Sequence, residues 1–404
     1  MRRVVVTGVG VLSSIGNTLT QFEESLRACR PGIGPITQVD TSRLRFHNAA
    51  EVGGFEPTGH FTDSQLNWLD RFAQLGIVAA RDAIADSTLT WNDELRTRTG
   101  VITGSCLGGI GTEDAHYFGF YHEKKSRCSP TAVPRIMSNA VASHVAMEQK
   151  FTGATFTTST ACSSANHAIG QALWLIRQGT LDCALAGGSE APISFGHLKA
   201  WEAMRVVAPD TCRPFSKNRA GIILGEGAAM LVLETLENAR ARGAKIYAEL
   251  AGFGMSADAY HLTSPLAEGA ARAMNAALED GHLSPEQINY VNAHGTSTPV
   301  GDAAEIRAIK RVFGNGRGPF ISSTKSITGH GLSLAGAMEA GFCCLALQER
   351  FTPVSANVTE LDPEFASVAI VTDPIDYAPR VAMTNSSGFG GTNVTAILRR
   401  WEEG

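Results

Sequence analysis

Two short stretches of this 404-residue chain resemble later stretches of the same chain. Phe156-Thr-Thr-Ser-Thr-Ala-Cys162 parallels Phe320-Ile-Ser-Ser-Thr-Lys-Ser326, and Val6-Thr-Gly-Val-Gly10 parallels Leu250-Ala-Gly-Phe-Gly254. The offsets, 164 and 244 residues, differ, which excludes a tandem array of fixed period. A duplicated α/β unit with a large insertion in its first half accommodates both matches. Strand-like runs at Val4–Thr7, Thr99–Thr103, Cys183–Ala186, Ala229–Leu233, Tyr290–Asn292, Ile321–Thr324 and Val394–Leu398 alternate with helical patterns, as α/β layering requires. Leu69–Ser87 sets Leu69, Phe72, Ala73, Ile77, Ala80 and Ile84 near one helical face. Asp302 followed by Glu305 reads as a capping box opening a helix Ala303–Val312. Gly8-Val-Gly10 lacks the third glycine of a dinucleotide fingerprint and is set aside.

Composition narrows the function classes. Hydrophobic residues make up 44% and charged residues 18%, an ordinary globular balance. No 18-residue apolar run suggests a membrane span. A formal net charge of −5 offers no basic field for nucleic acid. Met1-Arg-Arg-Val-Val-Val-Thr-Gly is too short and β-branched for a secretory leader and reads as a first strand. The eight cysteines form no CxxC pair, so reduced thiols in a cytoplasmic protein are expected. His and Cys lack ligand spacing, so no metal is expected, and no cofactor is called for.

Four clusters carry candidate chemistry. In Thr158-Ser-Thr-Ala-Cys162-Ser-Ser-Ala a strand ends near Thr160 and Ser163–Gln178 reads as a helix, which puts Cys162 at a helix N-terminus. That position lowers a thiol's pKa toward neutrality and offers N–H groups to a substrate oxygen; an inert buried thiol is the alternative. His294, in Asn292-Ala-His294-Gly-Thr-Ser-Thr-Pro-Val-Gly-Asp302, lies between a strand end and a loop suited to ligand contact, or serves as a structural donor. Ser323-Thr-Lys325-Ser-Ile-Thr-Gly-His330 places a lysine and a histidine on one turn, with Lys325 a surface charge or the repeat's counterpart of Ala161. Asn385-Ser-Ser-Gly388-Phe-Gly-Gly-Thr-Asn393 describes a sharply turning backbone, as a ligand loop or an ordinary hairpin. Taken together, one cysteine, two histidines, one lysine and a Gly-Phe-Gly loop specify an acyl-transfer site with a cysteine nucleophile.

These blocks resemble the β-ketoacyl-acyl-carrier-protein synthases, the condensing enzymes of type II fatty-acid and polyketide synthesis, nearest to their synthase I/II group. The resemblance spans essentially the whole chain, and further matching stretches are Gly187-Gly-Ser-Glu190, Arg213-Pro-Phe, Leu224-Gly-Glu-Gly227 and Asp258-Ala-Tyr-His-Leu-Thr-Ser-Pro265. It implies a thiolase-like five-layer αβαβα fold of two pseudo-duplicated halves, 1–246 and 247–404, and a homodimer. It implies that Cys162 holds the acyl group, with the N–H groups of Cys162 and Phe389 as oxyanion hole. His294 and His330 would hydrogen-bond the malonyl thioester oxygen as carbon dioxide leaves. Lys325 would hold the charge pattern of the site, with Glu339 and Asn393 in support. Thr296 and Thr298 would meet the carrier's phosphopantetheine arm, Leu107 would floor the acyl pocket, and Phe389 would gate it.

The chain departs from the family at Ser387, where a phenylalanine is usual, and in Gly331-Leu-Ser-Leu-Ala-Gly336, Cys106-Leu107 and Thr131-Ala132. These bear on the acyl chain accepted and suggest a specialised fatty-acid or polyketide-like pathway. The stretch Asp63-Ser-Gln-Leu-Asn-Trp68 lacks the family's carrier-docking cations, which leaves Lys124, Lys125 and Arg127 as the expected acyl-carrier-protein patch. A non-catalytic partner subunit or a coenzyme A-dependent thiolase are the alternatives, the first disfavoured by the retained Cys162. A cysteine protease finds no peptide-cleft framework.

Overall fold

The computed structural model describes residues 1–402. Among these residues a single mixed sheet runs through the molecule, and its order explains the internal repeat. Val4–Ser13 and Ala248–Ala257 meet at its centre through Val5–Glu249 and Val6–Ala248. Outward from Val4–Ser13 come Gly227–Thr235 and Cys183–Glu190, each antiparallel to its inner neighbour, then Thr99–Gly104 and Thr155–Thr158, each parallel. Outward from Ala248–Ala257 come Thr392–Arg399 and Val381–Gly388, each antiparallel, then Tyr290–Asn292 and Phe320–Ser322, each parallel. Ala369–Ile370 extends that second edge. Order and sense repeat, so Thr155–Thr158 is the counterpart of Phe320–Ser322. Both sequence matches fall on equivalent strands.

Helices fill the remaining layers. Ser164–Arg177 and Ala335–Gln348 lie between the two half-sheets and touch strands of both. Ala335–Gln348 is buried over all but its last residue, as a helix roofed on both sides must be. Arg71–Ser87 covers the outer face of the first half and Ala267–Asp280 that of the second. The result is the five-layer αβαβα arrangement.

The paired Gly-x-Gly stretches have a packing role. A Cβ on Gly10 would lie 2.0 Å from Ala79 O, and one on Gly254 2.2 Å from Ala273 O. Gly8 and Gly252 face Ala83 O and Ala277 O at 2.2 and 2.3 Å. In each half the outer helix rests directly on strand backbone, and any side chain would push it away. Gly10→Ala and Gly254→Ala should each cost about 1–3 kcal/mol, the range for overpacking. The midpoint of chemical denaturation measures this, and an unmoved midpoint would contradict the close approach.

Some boundaries differ from the sequence reading. The helix expected from Leu69 starts at Arg71, because Asp70 turns its carboxylate onto the Phe72 N–H as N-cap. The strand expected over Ile321–Thr324 stops at Ser322, since Thr324 already has helical angles. The Asp302–Glu305 capping box does not form. That helix begins earlier, at Pro299, and is capped by Thr298. The two buried carboxylates serve other N–H groups, Asp302 those of Phe215 and Ser297, and Glu305 those of His294 and Gly295. A buried loop must satisfy its donors, and that demand outweighs helix capping.

Candidate active site

Cys162 sits where the strand Thr155–Thr158 turns into the helix Ser164–Arg177. Ala161 carries φ 52°, a left-handed angle that strains a non-glycine residue and sharpens the turn. The sulfur lines a cavity of about 360 Å³ together with His294, His330, Ser387 and Phe389. Burial raises the Cys162 thiol to about 11, although Lys325 and the backbone N–H groups of Phe389 and Cys162 pull it down. The expected lowering toward neutrality is therefore not found, because losing water outweighs the favourable helix end. At rest the group is a thiol. Alkylation of Cys162 by iodoacetamide should still accelerate with pH above pH 9, and a plateau near pH 7 would contradict this.

Phe389 belongs to a hairpin turn joining Val381–Gly388 to Thr392–Arg399. Gly390 and Gly391 adopt φ 89° and 73°, which glycine takes without strain. The turn is latched to the segment opposite. Gly390 N–H donates to Leu262 O at 2.7 Å, and Asp258 N–H to Gly391 O at 2.8 Å. Asn393 Nδ2 donates to Asp258 at 2.8 Å, and Ser387 Oγ to Asn393 Oδ1 at 2.9 Å. Asn393 thus fixes the turn that aims the Phe389 N–H at the sulfur.

The two histidines face each other edge-on, with ring centroids 5.3 Å apart. His294 follows the strand Tyr290–Asn292, its N–H on Glu305 and its carbonyl accepting from Lys325 Nζ at 2.6 Å. His330 is held by its N–H on Ile223 O. Its Nδ1 accepts from the Leu332 N–H at 3.2 Å, which places the ring proton on Nε2. His294 Nδ1 is buried with no partner among the described residues. Burial, then the Lys325 charge, holds both imidazoles well below their usual pKa. Both are neutral at neutral pH.

Lys325 is fully buried and bonds Glu339 Oε1 as well as the His294 carbonyl. Burial pushes Glu339 up to about 7 while Lys325 pulls it back, and its second oxygen stays unpartnered. Removing one member of a buried pair strands the other. Lys325→Ala should cost about 3–5 kcal/mol, seen as a lower melting temperature; an unchanged one would contradict the pairing.

Thr296 and Thr298 line the cavity with their hydroxyls 3.0 Å apart. Leu107 does not line it; it packs against the cluster of Ile193, Leu198 and Trp201. Lys124, Lys125 and Arg127 lie on an exposed loop, also away from the lining, with Lys124 bonded to Tyr121 O and Lys125 paired to Glu123. Sequence reasoning missed Trp201, quoted Asp258 only within a family-matching stretch with no role, and took Glu305 for a helix cap; Trp201 and Asp258 both line the cavity. Among the described residues no cluster could hold a metal ion, and no helix is long and apolar enough to cross a membrane.

Residues 1–239 match the family model described as beta-ketoacyl synthase, N-terminal domain, and residues 247–359 that of the C-terminal domain. The chain is 38% identical to 3-oxoacyl-[acyl-carrier-protein] synthase 2 of Staphylococcus aureus (strain N315), with 99% of each chain covered. It is 42% identical to nodulation protein E of Rhizobium sp. (strain N33), again with 99% of each covered. The solved ishigamide ketosynthase/chain length factor superposes with a TM-score of 0.94 at 37% identity, covering 99% of this chain and 100% of that one.

Proposed function

The chain belongs to the beta-ketoacyl synthase family, and from that premise we propose that it condenses an acyl thioester with malonyl-acyl-carrier-protein through an acyl group held on Cys162. The acyl carbonyl carbon bonds to the Cys162 sulfur as the carrier thiol leaves and takes the thiol proton. Malonyl-carrier then loses carbon dioxide. The resulting carbanion attacks the acyl carbonyl, the bond to Cys162 breaks, and the returning thiolate takes a proton from solvent, the one proton the overall reaction consumes. Negative charge develops on two oxygens, and each is served by two donors: the N–H groups of Cys162 and Phe389 for the acyl carbonyl oxygen, in acyl transfer and again in condensation, and His294 and His330 for the enolate.

The observation that carries this reading is the convergence of Cys162, Phe389, His294 and His330 on one cavity. The cavity continues past Thr296 and Thr298 to Val300 and Leu262, 61% and 69% exposed, which suits entry of a long arm from solvent. We assign the arm to Thr296 and Thr298, carrier docking to Lys124, Lys125 and Arg127, and the end of the acyl chain to the neighbourhood of Leu107. A division at 246/247 accords with the gap between the two family models. A homodimer accords with the unpaired edge of Thr155–Thr158 and the exposed Tyr117, Phe118 and Tyr121. The reduced cysteines fit a cytoplasmic location, and the departures at Ser387 and Cys106 a specialised pathway. Purified protein given acyl-carrier and malonyl-carrier should release carbon dioxide and 3-oxoacyl-carrier in equal amounts. Carbon dioxide without the longer product would overturn the condensation.

A further inference from the structure

The helix Phe195–Met204 sends Trp201 into the cavity wall, and this residue makes two contacts that no step above uses. Its indole N–H donates to His197 Nε2 at 2.8 Å, one helical turn earlier, with the rings edge-on at 82°. Its ring also lies 6.0 Å from that of Phe389, tilted by 34°. Accepting at Nε2 places the His197 proton on Nδ1, and burial keeps the imidazole neutral and able to accept, with Asp114 opposing. Trp201 belongs to a buried cluster with Ile193, Leu198 and Leu332, against which the partly buried Leu107 packs.

We propose that His197 and Trp201 form a hydrogen-bonded clamp on Phe389 that sets which acyl chains are accepted at Cys162. The proposal rests on the reading of Cys162 as the acyl carrier and names what that reading leaves open, the specificity of the site. A short acyl group fits beside the sulfur with the clamp closed. A long one directed toward Leu107 must part Trp201 from Phe389 and draw the indole N–H off His197, because Trp201 both lines the cavity and packs in the cluster that Leu107 joins. Moving Phe389 also moves the turn whose N–H faces the sulfur, so the strain is felt in the chemical step and not only in binding. Trp201 and His197 are in this sense specificity-determining and positioning residues.

The test compares acyl transfer to Cys162 from short-chain and long-chain saturated acyl-carriers, as a ratio of kcat/KM, in wild type and four variants. Trp201→Ala should raise the long-to-short ratio about tenfold, the scale of discrimination by pocket size. Trp201→Phe, which keeps a ring and drops the donor, and His197→Leu, which drops the acceptor, should each raise it about threefold, the scale of one hydrogen bond. His197→Gln retains an acceptor and should restore the wild-type ratio. An unchanged ratio in Trp201→Phe and His197→Leu, or an equal loss for both chain lengths, overturns the clamp. If wild type takes no acyl group on Cys162 from any carrier, the underlying reading falls, and the clamp with it.

Discussion

Replacing Cys162 with alanine should abolish the covalent acyl-protein and condensation together, while Cys162→Gln keeps decarboxylation of malonyl-carrier. The sulfur's place is over-determined. A left-handed Ala161, the helix Ser164–Arg177 and two backbone N–H groups hold it in one position. Alanine leaves all of these intact, so the expected loss belongs to the missing nucleophile and not to unfolding. Loss of a catalytic nucleophile in other covalent enzymes costs about a millionfold in kcat, which in this assay means no product. In the proposed mechanism decarboxylation draws on different atoms, the two imidazoles, and needs no bond to sulfur. The amide of glutamine occupies the space of an acyl-cysteine without reacting. An acyl adduct persisting in Cys162→Ala would remove Cys162 from its assigned role.

His294→Ala and His330→Ala should each lower carbon dioxide release by about 100–1,000-fold, the cost of losing one donor to a developing oxyanion. Both rings are neutral, and His330 has its proton on Nε2 through the Leu332 N–H. On the proposed mechanism the neutral imidazole is thus the working form. Their pKa values lie below the usual 6.5, so lowering the pH through 6.5 should leave decarboxylation intact, with changes appearing only in more acidic solution. Acyl transfer to Cys162 should survive both substitutions far better than carbon dioxide release. Equal losses in both half-reactions would refute the division of labour between the oxyanion hole and the histidine pair.

Much of this architecture was legible in the chain itself. The match between Phe156–Cys162 and Phe320–Ser326 located equivalent strands, and the topology of the sheet places them at equivalent positions. The residue types around Cys162, His294, Lys325 and His330 pointed to acyl transfer, and the structure brings all four into one neighbourhood. Three features escaped for physical reasons. The thiol's pKa depends on how completely water is excluded, which no local pattern reports. Glu305 reads as a helix cap because its spacing fits one, but its partners are the buried N–H groups of a loop ten residues earlier. Trp201 is invisible as a wall residue because its neighbour Phe389 is 188 positions away in the chain.

Peptide mapping by mass spectrometry, after a single turnover with acyl-carrier and no malonyl-carrier, tests the central claim most directly. The acyl mass should appear on the peptide containing Cys162 and disappear when malonyl-carrier is added. The same mass on Cys106 or any other cysteine, or an adduct on Cys162 that malonyl-carrier never discharges, would contradict it.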